Sequence, residues 1–75
     1  MSKKEAILKA ALDLADETHF LKVTQMQVAA RASVSYGLVN YYLGKTCNMQ
    51  QAIINEAQRN NRSNVIKQIK LYKVV

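Results

Sequence analysis

Tyr36, Gly37, Asn40 and Tyr41, near the middle of the chain, combine side-chain types at a spacing that suits one chemistry. In a helix Tyr36, Asn40 and Tyr41 fall at i, i+4 and i+5, on one exposed face. The Asn40 amide offers a donor beside an acceptor, the pattern that pairs bidentately with the major-groove edge of adenine. The tyrosines can touch thymine methyls or phosphate oxygens. Gly37 has no Cβ and lets the backbone approach a duplex closely. Thr24 and Ser35 are helix starters, so their hydroxyls and the adjacent N–H groups can meet phosphate oxygens. Arg31 and Lys45 suit phosphate clamps. The set points to recognition of a double-stranded nucleic acid.

Catalysis has little to work with. The chain holds no Cys/His pair at useful spacing, no Gly-rich phosphate loop and no acidic pair in an apolar setting. It is expected not to be an enzyme and to need no cofactor. His19 has no second ligand at metal spacing and reads as a capping or surface residue, so no metal is expected. Cys47 reads as a small apolar side chain, and a lone cysteine suits a reducing compartment. The recognition residues also have plainer readings: half-buried core tyrosines (Tyr42 above all, beside Val39), a tolerated helix glycine, a solvated Lys45. Their joint spacing is what gives them weight.

That spacing needs elements to hold it. Thr24–Tyr42 reads as two short helices joined by a tight turn, the length of a DNA-binding helix-turn-helix. Ala29 and Ala30 are small enough for a close crossing, Ser33 stands at the turn, and Val28, Ala32, Val34, Val39 and Leu43 fall inward. Ser2–Glu5 and Thr24–Gln27 have the form of capping boxes. The first helix is expected to run to about Glu17, with an apolar stripe of Ile7, Leu8, Ala10, Ala11, Leu14 and Ala15. Its carboxylates, Asp13 and Asp16, lie opposite and are expected to be solvated. His19 stands where a left-handed residue could end this helix, and Phe20, the only Phe, reads as a core plug. A third helix is expected from Ser35 to about Leu43, and a fourth from about Cys47, with Met49, Ala52, Ile53 and Ala57 on one side. Arg59–Asn64 interrupts the pattern as either a solvated face or a break. Val65, Ile66, Ile69 and Tyr72 then resume helical spacing, with Lys67, Lys70 and Lys73 outward. This last piece has no obvious cover within 75 residues and is assigned to a dimer contact, with a membrane-surface helix as the second reading.

Composition agrees with an all-α fold. The chain has no Pro, two Gly and 49% hydrophobic residues. No apolar run is long enough for a membrane span, and no signal-peptide core is visible, so a soluble, cytoplasmic protein is expected. Eleven Lys and Arg face five Asp and Glu, a net charge of +6. Residues 1–17 are nearly neutral. From Thr18 onward Glu56 is the only acid against eight basic residues. Such a surface attracts any polyanion and alone does not separate DNA from RNA or an anionic membrane.

Residues 3–57 resemble the N-terminal DNA-binding domain of the TetR family of bacterial repressors. Ile7-Leu8-x-Ala10-Ala11-x-x-Leu14 is similar to its first-helix pattern. Thr24 with Val28-Ala29 is similar to its Thr-x-x-x-Ile-Ala, and Ala32-Ser-Val-Ser35 to its Ala-Gly-Val-Ser. Gly37-Leu-Val-Asn-Tyr-Tyr-Leu-Gly44 is similar to Gly-x-Leu-Tyr-x-His-Phe-x. The resemblance implies a homeodomain-like three-helix helix-turn-helix plus a fourth helix. It implies base or backbone contacts for Ser35, Tyr36, Gly37, Tyr41 and Tyr42, and phosphate contacts for Thr24 and Lys45. The chain departs from the family at Ser33 and His19, where it has glycines, at Asn40 and Leu43, where it has aromatic residues, and at Lys45-Thr-Cys47, which replaces Ser-Lys-Glu. About eighteen residues follow Ala57, far fewer than the family's dimerising and inducer-binding domain. No small-molecule inducer is therefore expected.

The sequence thus divides into a DNA-binding domain, 1–57, and a C-terminal helical extension, 58–75, that dimerises. The expected function is a small sequence-specific repressor on a palindromic operator, a natural miniature of phage or plasmid type associated with the nucleoid. Two alternatives stand beside it. One is an accessory DNA-binding factor in recombination, partition or plasmid transfer, and the other a basic helical module that docks an acidic protein.

Overall fold

The computed structural model describes residues 2–73. Its elements are α1 (Lys3–Glu17), a 3-10 turn (Phe20–Lys22), α2 (Gln25–Ala32), α3 (Tyr36–Leu43), α4 (Thr46–Arg59) and α5 (Ser63–Lys73). No strand occurs among the described residues, and the fold is all-α.

Caps set the starts. The Ser2 hydroxyl accepts from the Glu5 N–H at 3.2 Å. At Thr24 the box is reciprocal: Thr24 Oγ1 accepts from the Gln27 N–H, and Gln27 Oε1 accepts from the Thr24 N–H. Ser35 Oγ accepts from the Leu38 N–H and opens α3.

Two helices end alike. Ser33 (φ 58°) and Asn61 (φ 54°) are left-handed. After α2 the Val34 N–H reaches the Ala29 carbonyl at 3.0 Å, and after α4 the Arg62 N–H reaches the Ala57 carbonyl at 2.9 Å. Both are Schellman endings, in which one residue at positive φ lets two further N–H groups turn back onto the last carbonyls. The Arg59–Asn64 interruption is therefore a break between α4 and α5.

One apolar cluster draws on every helix and on the 3-10 turn. Phe20, Ile7, Met49, Ile53, Val23 and Val28 are its largest fully buried members, each worth about 1.5–3 kcal/mol relative to exposure. Several expectations need correction here. Leu12 is buried although the stripe assigned to α1 omits it. Ala29 is buried where α2 meets the core, but Ala30 is exposed. His19 is extended (φ −160°) rather than left-handed, and its Nδ1 accepts from the Leu21 N–H. Cys47 is exposed, not filler.

The largest correction concerns α5. Val65 and Ile69 are buried in the common core, so most of the face assigned to a dimer contact is covered by the chain itself, and of that face Tyr72 stays exposed. Gln68 Nε2 donates to the Ala15 carbonyl, and Gln68 Oε1 accepts from the Phe20 N–H, both at 3.0 Å. Nor are Asp13 and Asp16 merely solvated. Arg62 spans them, at 2.6 Å to Asp13 and 3.2 Å to Asp16, tying the start of α5 to α1.

Relieving left-handed serine at position 33 should help the fold. A non-glycine residue there costs about 1–2 kcal/mol, partly offset by the greater unfolded-state freedom of glycine. Ser33→Gly is expected to gain about 0.5–1 kcal/mol, seen as a higher urea midpoint at unchanged slope. Asn61→Gly should gain less, because asparagine tolerates this conformation better. A Ser33→Gly protein no more stable than the parent would contradict the assigned turn.

The Arg62 clamp makes a pH prediction. Burial pushes the Asp13 carboxyl up, but hydrogen bonds from Arg62 and Lys9, with their charges, outweigh it and hold the group below its ordinary value. A carboxylate depressed in the folded state adds stability that is complete above its unfolded value, about 3.9. That stability is lost as pH falls through the folded value. The gap in stability between the parent and Asp13→Asn is therefore expected to be full near pH 6 and to shrink steadily below about pH 4. Denaturant titrations at several pH values give the answer, and a gap that stays constant down to about pH 2 counts against the clamp.

Candidate nucleic-acid interface

α3 carries no charged residue between Ser35 and Gly44. Val39 and Leu43 anchor it in the core. Around a helix of 3.6 residues per turn, Tyr41 then points almost directly away from that anchor, with Gly37 beside it. Tyr41 is 79% exposed, Tyr36 47% and Tyr42 37%. Asn40 and Gly37 are exposed as well. The core reading of Tyr36 and Tyr41 is therefore not what the structure adopts. Tyr42 sits at the margin and meets Tyr41 edge-on, with ring centroids 5.1 Å apart.

Gly37 has open space around it: a Cβ built there meets nothing within 4 Å. The fold does not require glycine at this position. Gly44 is the opposite case. It ends α3 at φ 73°, ψ −154°, a conformation that side chains rarely adopt. A Cβ there would also lie 2.9 Å from Asn48 Nδ2.

Gly44 also holds a junction together. Gln25 Nε2, in the first turn of α2, donates to the Gly44 carbonyl at 2.9 Å. Gln25 Oε1 lies 3.5 Å from the Thr46 hydroxyl, which can donate to it. One side chain thus gathers the start of α2, the end of α3 and the start of α4. Thr24 and Lys45 flank this corner, both exposed. Lys45 stands at the N-cap of α4 without a side-chain hydrogen bond, so the helix start lacks a side-chain capping acceptor. Ser35 lies at the far end of α3, about 12 Å away along the helix.

Of the nine residues singled out from the sequence, eight lie on α3 or at helix starts beside it. Arg31 does not. It sits in the last turn of α2, away from the corner, and its guanidinium bonds the Glu17 carboxylate at the end of α1 (2.6 Å from Nη1 to Oε1). The Glu17 hydrogen bond raises the Arg31 pKa and, from the other side, the Arg31 bond lowers that of Glu17. The phosphate clamp assigned to Arg31 is thus occupied by an intramolecular partner. The junction that Gln25 makes with Gly44 and Thr46 was not anticipated. It depends on a contact across nineteen positions, which no local pattern encodes.

Among the described residues there is no cluster of His, Cys, Asp or Glu that could hold a metal. No described helix is long and apolar enough to cross a membrane. Set beside models of protein families, curated proteins and solved structures, the chain matches none of them.

The two glycines should respond oppositely to alanine. Gly44→Ala is expected to destabilise the protein by about 1–3 kcal/mol through its backbone conformation. Gly37→Ala is expected to stabilise it by about 0.5–1 kcal/mol, since alanine is the better helix former. Thermal or urea unfolding reads both. A loss of stability in Gly37→Ala would mean that its surroundings are more crowded than described.

Proposed function

We propose that this protein binds double-stranded DNA, with α2, the Ser33 turn and α3 acting as a helix-turn-helix of the TetR type and α3 entering the major groove. The observation that carries the reading is the exposed, uncharged face of α3, with groups suited to phosphate at both ends. These ends are about 12 Å apart, close to the width of the major groove, also about 12 Å. Ser35 and the first N–H groups of α3 serve one side. Thr24, Lys45 and the uncapped start of α4 serve the other.

On this reading Asn40 takes an adenine edge, and Tyr36 and Tyr41 meet thymine methyls or phosphates. Gly37, which the fold leaves free to be any small residue, is glycine so that the α3 backbone can lie close to the duplex. A repressor that occludes a promoter is the function proposed. A palindromic operator read by a homodimer fits a single small reading helix per chain. Leu71 (65% exposed) and Tyr72 (57% exposed), the large apolar side chains that α5 leaves uncovered, are the surface proposed for that pairing.

Selection of bound duplexes from a random pool, followed by footprinting, tests the reading. A symmetric motif is expected to emerge. Tyr41→Ala and Asn40→Ala should each lower discrimination against random duplex by about 1–3 kcal/mol with the fold intact. Gly37→Ala should weaken duplex binding even as it stabilises the protein. Equal affinity of the parent protein for selected and random duplexes would sink the reading.

A further inference from the structure

Each base pair turns its own set of groups into the major groove, and each set has its own partners. Guanine O6 and N7 take a paired contact from Arg or Lys, and cytosine N4 donates to Asp or Glu. Adenine N6 and N7 suit Asn or Gln, and the thymine C5-methyl suits an apolar surface. α3 holds only partners of the second kind. Between Ser35 and Gly44 it has no Arg, Lys, Asp or Glu. The nearest cations in sequence do not make up for this: Arg31 is bonded to Glu17, and Lys45 lies beyond the end of α3, at the N-cap of α4.

The placement of the remaining groups is specific. Helical steps of about 100° put Tyr36, Asn40, Gly37 and Tyr41 in that order around one side of α3, over about 140°. All four are exposed. Gly37 separates Asn40 from Tyr41 without a side chain, and the space above it is open, since a Cβ there meets nothing within 4 Å. The amides of Gln25, Gln27 and Gln68 are taken up by backbone groups of the chain. That of Asn40 stands on the exposed face. An amide and two phenol rings thus flank an open strip of backbone.

We infer that α3 recognises a core of A·T pairs alone, through the adenine N6–H and the thymine methyl, and refuses a duplex in which that adenine is N6-methylated. The inference rests on the DNA-binding reading above and names the duplex that this reading requires. A G·C pair against the same face would lose the water on O6 and N4. In return a tyrosine hydroxyl offers one donor, which makes no paired contact. Unmatched polar groups held away from water are costly, so G·C pairs are rejected rather than merely less favoured.

The effect of methylation follows from the hydrogens on N6. One pairs with thymine O4, and the other faces the major groove beside N7, where an asparagine carbonyl accepts it. A methyl group that leaves the base pair intact must take the second position. It removes the donor that Asn40 needs and fills the space that the amide occupies.

Duplexes altered one group at a time test this, on the motif that the parent protein selects from a random pool. The core of that motif is expected to hold A·T pairs only. N6-methylation of the core adenine in each half-site should weaken the parent about 5- to 150-fold, and Asn40→Ala by less than about twofold. Deoxyuridine in place of core thymine should weaken the parent about fourfold for each methyl contacted, and Tyr36→Ala/Tyr41→Ala by less. Inosine·cytosine pairs keep the minor groove of A·T but present the major-groove groups of G·C, so they should bind as poorly as G·C. Binding that survives inosine·cytosine overturns the inference, because the preference then comes from the minor groove or from duplex flexibility. A motif with G·C pairs at its core also overturns it, while leaving α3 as the reading helix. Losses of equal size in the parent and in the matching variant overturn it too, since they report a changed duplex and not a missing partner. A parent protein that binds no duplex, or binds all duplexes alike, overturns the α3 reading and the inference with it. Circular dichroism confirms that each variant is folded, which is expected because Tyr36, Asn40 and Tyr41 are exposed.

Discussion

The end of α1 is where this fold is decided. A helix leaves its last carbonyls without partners, and here the Ala15 carbonyl, beside the core, is met by Gln68 from the last helix of the chain. The same amide accepts from the Phe20 N–H. One side chain therefore caps α1, fixes the turn that buries Phe20 and docks α5. The direction of Phe20–Val23 in turn sets where Thr24 begins α2. An unpaired buried amide or carbonyl costs about 1–3 kcal/mol, so two such groups on one glutamine weigh heavily in a small domain. Arg62 repeats the theme at the other end of α5, where it spans Asp13 and Asp16. Both ties run from α5 back to α1, across 46 to 53 positions of sequence.

The second junction, at Gly44, has a different character. Gln25 binds a carbonyl that only an unusual backbone conformation presents. The short link from α3 to α4 holds one glycine and one lysine, and it turns the chain so that α4 starts beside α2. Strain at Gly44 is thus exchanged for a corner at which three helix termini meet. Two of these termini are helix starts, and helix starts carry the positive end of the dipole.

Local chemistry made much of this legible in the sequence. Thr24, Gln27 and Ser35 announce the starts of α2 and α3, because a cap is a contact over three residues. Val28, Val39 and Leu43 reveal their inward faces through helical spacing, as do Met49, Ile53 and Ala57. Ser33 stands at a turn whose left-handed geometry follows from the tight connection. The rest needed contacts that no window shows. Val65 and Ile69 gave α5 an apolar face, but whether that face meets this chain or another depends on where Gln68 and Arg62 find partners. Arg31 looked available for phosphate because Glu17 lies fourteen positions away. Leu12 was passed over because a stripe drawn on one side of α1 misses a helix that packs on several sides. For the candidate interface, the exposed residues of α3 were readable, whereas the contacts that join Gln25 to Gly44 and Thr46 were not.

The partition of charge gives the proposed reading its physical shape. A reading helix rich in Lys and Arg would hold every duplex strongly, and base contacts would then change only a small part of the total. On α3 there is no charge to do so, and the amide and phenol groups gain only when their partners are correct, because an unmatched buried polar group loses its water without replacement. On the proposed reading, attraction is left to lysines on other elements, whose long stems would follow the phosphates without fixing a register. The arginines, which would bind most tightly and most rigidly, are each held by a carboxylate of the chain: Arg31 by Glu17, Arg59 by Glu56, and Arg62 by Asp13 and Asp16. Two of these arginines tie α1 to its neighbours, Arg31 on α2 through Glu17 and Arg62 before α5 through Asp13 and Asp16, while the lysines without an ion-pair partner remain on the surface. On the proposed reading, the same ion pairs that join α1 to α2 and α5 also keep Arg31 and Arg62 from competing with α3 for the duplex.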